Sequence, residues 1–285
     1  MNKQDFLTYL DKYGIEAKKG LGQNFLYDEA LIERVLEEAL DLPLDNVLEI
    51  GSGAGSLSRV LAKHAKKLVS IEKDESLGHL LQDLGSACPN ASFILTDATQ
   101  LDLSFLFTDD EKDSLHVVAN LPYYLTSELI SQLILELPQA QAMLFLVQKD
   151  AVPRLSGVEG DGKSKSKNQG WISKWISCYG TLKPLQTVGR DKFYPEPNIS
   201  SQFILLEPDM NFKRRNFLIR HGDLLLHTIK LSFGQRRKSL VNCLDQVGLK
   251  DRALLWLQEA GKSPTERAEN LDSGDFISLT KFLFR

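Results

Sequence analysis

A nine-residue stretch, VLEIGSGAG at positions 47–55, constrains the fold of this chain more than any other. Strand-like residues run directly into three glycines at alternating positions, and apolar residues at helical spacing follow from Leu57. The pattern predicts a buried parallel strand, a tight turn and a helix whose first N–H groups point into the turn. Gly51 and Gly53 would let a ligand approach the backbone closely. Ser56 stands where the dinucleotide fingerprint requires a third glycine, so a tight turn without a ligand is the alternative interpretation.

Two acids follow the next two predicted strands. Residues 68–71 form the second strand and end at Glu72, where an acid typically binds ribose hydroxyls. Residues 92–95 form the third, which is followed by Asp97, a candidate acceptor for an adenine amino group. The alternatives are a helix-start acid for Glu72 and an Asx turn for Asp97. Alternating strands and helices predict a doubly wound α/β sheet.

A rigid turn follows the fourth predicted strand, residues 115–119. It reads Asn120-Leu121-Pro122-Tyr123, and its proline has no N–H donor. The Asn120 side-chain oxygen and the Leu121 carbonyl are candidate acceptors for the two N–H groups of a planar exocyclic amine, with Tyr123 stacking on the ring. An ordinary proline turn before the next helix is the alternative.

The character of the chain changes after Pro208. No strand-like run follows, and apolar residues recur at helical spacing, which predicts a sheet domain at 1–208 and a small all-helical domain at 209–285. Residues 1–153 carry 12 Lys/Arg and 24 Asp/Glu, a net −12, whereas residues 154–285 carry 22 and 14, a net +8. This asymmetry indicates a polyanionic partner for the second half, with a solvated basic surface as the alternative.

Composition narrows the class of protein. The 285 residues include no apolar run near the roughly 18 that a membrane span requires. Met1 to Tyr13 lacks the apolar core of a signal peptide, and three scattered cysteines favour neither a disulfide framework nor a zinc site. We therefore expect a cytoplasmic protein without a structural metal.

Six motifs together resemble one known family. They are KKGLGQNFL at 18–26, EIGSG at 49–53, NLPY at 120–123, QKD at 148–150, FYPEP at 193–197 and FGQRRK at 233–238. In order and spacing they resemble the ribosomal RNA small-subunit adenine dimethyltransferases, the kasugamycin-sensitivity methyltransferase family. The resemblance implies a Rossmann-like class I S-adenosylmethionine-dependent methyltransferase sheet with a small C-terminal all-helical domain. Residues 1–208 would then be the S-adenosylmethionine-binding catalytic domain, and residues 209–285 the helical RNA-binding domain.

The resemblance also implies roles for individual residues. The cofactor S-adenosylmethionine would be bound by Asn24, Leu26, Gly51, Gly53, Glu72, Asp97 and Asn120. Catalytic positions would be Asn120, Leu121, Pro122 and Tyr123, and RNA-binding positions Phe193, Arg236, Arg237 and Lys238. Phe193 is expected to offer a second stacking face for a flipped base, with a hydrophobic plug as the alternative.

The activity implied is dimethylation of N6 of two adjacent adenosines in the 3′-terminal hairpin loop of 16S rRNA. The protein would act as a monomer on the small ribosomal subunit, late in the assembly of that subunit. No membrane and no metal would be involved. Rival hypotheses are a large-subunit rRNA methyltransferase of the antibiotic-resistance type and a non-catalytic RNA-binding assembly factor. An NAD oxidoreductase is disfavoured by Ser56 and by the NLPY turn.

Overall fold

The computed structural model describes residues 1–158, 169–235 and 237–284. Within these ranges the strands are β1 Phe25–Leu26, β2 Leu44–Ile50, β3 Ala65–Glu72, β4 Ala91–Leu95, β5 Leu115–Asn120, β6 Ala142–Gln148, β7 Gly180–Val188, β8 Phe193–Tyr194 and β9 Ser201–Pro208. The helices are α1 Lys3–Lys12, α2 Glu29–Ala39, α3 Ser56–His64, α4 Gly78–Ala87, α5 Asp109–Lys112, α6 Thr126–Glu136, α7 Val152–Ser156, α8 Trp171–Tyr179, α9 Phe212–Ser232, α10 Leu240–Asp245, α11 Lys250–Glu259 and α12 Ser273–Leu283.

A seven-stranded sheet is built from strands between residues 44 and 208. Its order is β4-β3-β2-β5-β6-β9-β7, and β4 through β6 in that order run parallel. Strand β9 pairs antiparallel with β6. The apolar runs of β5 and β6, and the burial of six of the seven residues of β2, suit strands with helices on both faces of a parallel sheet. This is the predicted doubly wound α/β architecture.

Local signals place the helices beside this sheet. The Asp28 side chain accepts from the Leu31 N–H at 3.1 Å and so caps α2, as its sequence predicts. Leu31, Ile32, Val35 and Leu36 form the buried face of α2 and pack into the core with β2. Helix α3 begins one residue after Gly55, which has a φ of +80°. The glycine turn thus lies between a core strand and a core helix.

The chain divides into two compact units. The first comprises Met1–Val152 and Lys183–Glu207, and the second Pro153–Leu182 and Pro208–Arg285. The second segment of the first unit ends at Glu207, beside the boundary expected at 208, whereas residues 153–182 group with the helical unit and not with the sheet. The reason lies in α8, whose buried Trp175 and Ile176 belong to a face that packs against α9 and α12. Over the described residues, no helix is long and apolar enough to cross a membrane.

Candidate active site

Four strand ends meet at one edge of the sheet. Ile50 pairs with Ile71 on β3 and with Ala119 on β5, while Glu72 pairs with Leu95 on β4. The carboxyl ends of these parallel strands therefore lie side by side. Because the crossover direction reverses between β2 and β5, this edge is the topological switch point, where open α/β sheets bind ligands.

The glycine turn at the end of β2 forms a backbone cradle. Gly51 has a φ of +84°, and a Cβ there would lie 3.4 Å from the Asn120 carbonyl oxygen. Gly53 has a φ of +52°, and a Cβ there would lie 3.0 Å from the Phe25 ring. The positive φ favours glycine at both positions, and at Gly53 the Phe25 ring also leaves little room for a side chain. Both glycines line the cleft.

Glu72 lies at the tip of β3 with both carboxylate oxygens in use. One accepts from the Gly53 N–H and the other from the Asp74 N–H, each at 2.8 Å. The side chain is buried, and burial raises its pKa although these hydrogen bonds act in the opposite direction. Glu72 therefore connects the glycine turn to the loop after β3.

Asp97 holds an ion pair inside the cleft. Its Oδ2 lies 2.7 Å from Lys73 Nζ, and its Oδ1 accepts from the N–H and hydroxyl of Thr99 at 3.0 and 2.8 Å. The Lys73 ammonium is the largest influence that lowers the pKa of Asp97. The Asx turn considered from sequence is therefore present, and it leaves Asp97 ionised beside the cleft.

The turn after β5 places Asn120 against the N-terminal arm. The Asn120 side-chain nitrogen donates to the Asn24 carbonyl at 3.2 Å, so the amide oxygen is the atom left to accept from a ligand. Thr126 and Leu125 donate to the carbonyls of Pro122 and Tyr123. Among the described residues no donor to the Leu121 carbonyl is seen.

Tyr123 stands at the rim of the same turn. Its hydroxyl lies 2.9 Å from the Ser201 hydroxyl, and burial raises its pKa. The next residue, Tyr124, is 59% exposed. Anchored through its hydroxyl, the Tyr123 ring lines the cleft without adding a charge to it.

These residues line one open cleft. Predicted residues that line it are Asn24, Gly51, Gly53, Glu72, Asp97, Asn120, Leu121, Pro122 and Tyr123. Leu26 is buried and instead lines an adjoining pocket that shares Gly51, Gly53 and Asn120. Two carboxylates and a glycine cradle along one cleft fit a nucleoside with a polar tail, and therefore fit S-adenosylmethionine.

The structure corrects the expectation for Phe193. Its ring is 0% exposed and packs in the core with Val188, Phe203 and Leu205. Its backbone pairs with Leu26, so the FYPEP segment holds the arm through a short antiparallel ladder, β1 with β8. A buried ring offers no free face to a base, and the hydrophobic-plug alternative describes it.

The predicted basic cluster lies in the second unit. Arg237 and Lys238 are exposed, and Arg237 has a φ of +66°. Arg236 falls outside the described residues. In the ranges that the structure covers, no group of His, Cys, Asp and Glu is arranged to hold a metal ion.

Glu49 is a functional candidate that sequence reasoning left without a role. It is 0% exposed in β2, and its Oε2 accepts from Ser58 and Ser70 at 2.6 and 2.5 Å. Its Oε1 has no partner among the described residues. Burial raises its pKa to about 7. The available signal was an acid between the apolar residues Leu48 and Ile50, two residues before the glycine turn.

Comparisons with known proteins agree with this geometry. Residues 14–284 match the model of the family described as ribosomal RNA adenine dimethylase. The chain is 32% identical to a ribosomal RNA small subunit methyltransferase A of Clostridioides difficile, over 96% of this chain and 93% of the relative. It is 34% identical to the protein of that name from Bacillus mycoides, over 96% and 94%.

Solved structures share the fold at lower identity. A dimethyladenosine transferase from Plasmodium falciparum superposes with a TM-score of 0.67 at 22% identity, covering 90% of this chain and 95% of that one. The 23S rRNA methyltransferase ErmE superposes with a TM-score of 0.59 at 22% identity, covering 92% and 100%. The chain therefore belongs to the ribosomal RNA adenine dimethylase family, as an S-adenosylmethionine-dependent rRNA adenine methyltransferase.

Proposed function

We propose that this protein transfers methyl groups from S-adenosylmethionine to N6 of two adjacent adenosines in the 3′-terminal hairpin loop of 16S rRNA, late in small-subunit assembly. Relatives at 32–34% identity over 96% of the chain carry the name ribosomal RNA small subunit methyltransferase A, which supports the small subunit as substrate. ErmE, named for 23S rRNA, is similar at 22% identity, which shows a shared fold and leaves the large-subunit alternative without comparable support.

One observation carries the proposed chemistry: the Asn120 amide is oriented by Asn24. Since the Asn120 nitrogen is hydrogen-bonded to the Asn24 carbonyl, its oxygen is available toward the cleft. The Leu121 carbonyl supplies the second acceptor one residue later. Two acceptors at the end of β5 suit the two N–H groups of an adenine amine, whose lone pair must leave conjugation to react.

The cofactor would be held by the opposite side of the cleft. Glu72 would bind the ribose hydroxyls, Asp97 the adenine amino group, and the backbone at Gly51 and Gly53 the methionine end together with Asn24 and Asn120. Leu26 would act through the adjoining pocket. When bound, S-adenosylmethionine supplies a methyl group on a positively charged sulfur.

The protein's own contribution is placement and exclusion of water. Tyr123, fixed through Ser201, would stack on the target base after it leaves the RNA helix. Asn120 and Leu121 would hold the amine nitrogen toward the cofactor with its lone pair free. Alignment of this kind accelerates a two-partner reaction without an acid or base of unusual strength.

RNA binding is assigned to the second unit. Arg237 and Lys238 are exposed there, in a half of the chain with a net charge of +8. Arg236 belongs to the same basic cluster in sequence. We assign phosphate contacts to these side chains and expect the protein to act as a monomer on the small subunit.

The test is direct. Small ribosomal subunits that lack the modification are incubated with purified protein and S-adenosylmethionine labelled on its methyl group, and the rRNA is digested and mapped by mass spectrometry. We expect two adjacent dimethyladenosines in the 3′-terminal hairpin loop of 16S rRNA. A mark on 23S rRNA, or no mark on small subunits at several stages of assembly, would refute the proposal.

A further inference from the structure

The arm that lines the cofactor cleft is anchored at both ends but not in its middle. On one side Phe6, Leu10 and Ile15 are buried, and on the other Phe25 and Leu26 are buried with β1 paired to β8. Between these anchors, residues 16–24 contain no buried side chain, and Leu21 to Asn24 form part of the cleft wall. Polar contacts must therefore hold this segment in place.

Those polar contacts converge on one carboxylate. Asp74 Oδ1 accepts from Lys18 Nζ at 2.6 Å, and Asp74 Oδ2 accepts from Gln23 Nε2 at 2.7 Å. The Gln23 amide oxygen in turn accepts from the Lys18 N–H at 2.8 Å. The Asp74 side chain is 1% exposed and that of Lys18 is 48% exposed. Because the acceptor is a carboxylate, its hydrogen bonds from Lys18 Nζ and Gln23 Nε2 are charge-assisted, and such bonds are stronger than those between neutral groups.

Asp74 also contacts the cofactor side of the cleft. Its N–H donates to Glu72 Oε1 at 2.8 Å, and the other oxygen of Glu72 accepts from Gly53. On the arm, the carbonyl next to Gln23, that of Asn24, receives the Asn120 amide. A continuous set of contacts thus runs from Glu72 through Asp74 and the arm to Asn120.

We propose that Asp74 is a positioning residue: by clamping residues 18–24 to the loop after β3, it sets the Asn24 carbonyl that orients Asn120, and so couples the cofactor side of the cleft to the target-adenosine side. Asp74 itself does not line the cleft. The role rests on the proposed function for Asn120, but the clamp itself does not depend on which RNA is methylated.

The first test is limited proteolysis of the full chain with trypsin, which cleaves after Lys18 and Lys19. Lys18→Gln keeps the Lys19 site and removes the ammonium, and Asp74→Asn removes the charge of the acceptor. Loss of a charge-assisted hydrogen bond should raise the rate of cleavage after Lys19 by about tenfold or more, since cleavage follows the open population. Lys66→Gln is the matched control because it removes an exposed pair with Asp45 in the same unit, and it should leave that rate unchanged.

The double variant Lys18→Gln/Asp74→Asn then tests whether the two residues act together. We expect its cleavage rate to match that of the faster single variant within about twofold, because either substitution alone already removes the interaction that the two residues share. The clamp would be refuted if the rate increase of the double variant equalled the product of the two single increases. It would also be refuted if the single variants were cleaved at the rate of the parent protein. Lys18→Gln alters a half-exposed side chain, so the test stands even where Asp74→Asn folds poorly.

Kinetics separate positioning from simple stability. At saturating S-adenosylmethionine and rRNA, Lys18→Gln should lower kcat at least about fivefold while the Kd for rRNA stays within about twofold, because Asn120 is misoriented rather than lost. An unchanged kcat would overturn the coupling to Asn120. Failure of the parent protein to methylate small subunits, with clamp-dependent proteolysis intact, would refute the proposed function and leave the clamp standing.

Discussion

Lys73 Nζ lies 2.7 Å from Asp97 Oδ2, so the carboxylate proposed to receive the cofactor's adenine amino group already has a cationic partner. The Lys73 side chain is 49% exposed, whereas that of Asp97 is 17% exposed. The lysine therefore approaches from solvent and the carboxylate is part of the wall. Binding of the adenine must compete with this ion pair or rearrange it.

Lys73→Met tests that competition. With the ammonium gone, Asp97 accepts from the adenine amine without giving up a partner, and we expect S-adenosylmethionine to bind about threefold to fivefold more tightly, the size of a partly exposed ion pair. Isothermal titration calorimetry at two salt concentrations measures the change. The Lys66→Met variant is the control for the loss of one lysine. Weaker binding by Lys73→Met would show that the ammonium assists the cofactor.

Glu49 predicts a specific pH dependence of stability. Its folded pKa of about 7 exceeds the ordinary value of 4.5, so between these pH values the folded protein holds a proton that the unfolded chain has released. The resulting stabilisation is complete below pH 4.5 and is lost as the pH rises to 7, a change of about 3 kcal/mol. Urea unfolding across this range should show the parent losing stability relative to Glu49→Gln. If the free energies of unfolding of the parent and of Glu49→Gln changed in parallel with pH, the raised pKa of Glu49 would be contradicted.

Substitution of Phe193 by alanine is expected to reduce the stability of the fold and not the recognition of a base. Since the ring is 0% exposed, Phe193→Ala should lower the free energy of unfolding by about 3–5 kcal/mol. Phe193→Leu retains most of the buried volume and should keep both stability and rRNA affinity. Denaturant unfolding and filter binding measure the two properties. Weakened rRNA binding by Phe193→Leu at parent stability would restore the stacking interpretation.

The basic cluster predicts a change in salt dependence. Arg237→Gly suits a residue whose φ is +66°, and together with Lys238→Gln it removes two charges without straining the backbone. The slope of log affinity for rRNA against log salt should become shallower by about 1.5. Lys250→Gln, in the same unit and paired with Asp245, is the control and should leave the slope unchanged. If the double variant kept the slope of the parent protein, the RNA-binding surface would lie elsewhere on the protein.

Strong local signals explain how much of the cleft could be predicted from sequence. Strand β2 with its glycine turn, Glu72 at the end of β3 and Asn120 at the end of β5 all stand where a parallel sheet aligns strand ends. Each of these positions was predicted from a run of apolar residues followed by a glycine or a polar residue that ends the strand. Such signals are local in the sequence, so a single chain reveals them.

The missed features depend on contacts distant in sequence. Strand β7, GTLKPLQTV, is an edge strand with mostly exposed residues and a proline, so it lacks the apolar alternation of a core strand. The two-residue β1–β8 ladder forms because Phe193 pairs with Leu26, which lies 167 residues earlier in the chain. The Asp74 clamp likewise joins positions 51 to 56 residues apart. Periodicity carries no information about such pairings.

Asn120→Ala tests the central claim that the Gly51 turn and the Asn120–Tyr123 turn form one site for cofactor and adenosine. Single-turnover methylation of small subunits, with the Kd for rRNA measured in parallel, is the measurement. We expect the methylation rate to fall by about 100-fold to 1,000-fold, the cost of one lost transition-state hydrogen bond, while the Kd for rRNA stays within about twofold. A variant that methylates at the parent rate would contradict the account.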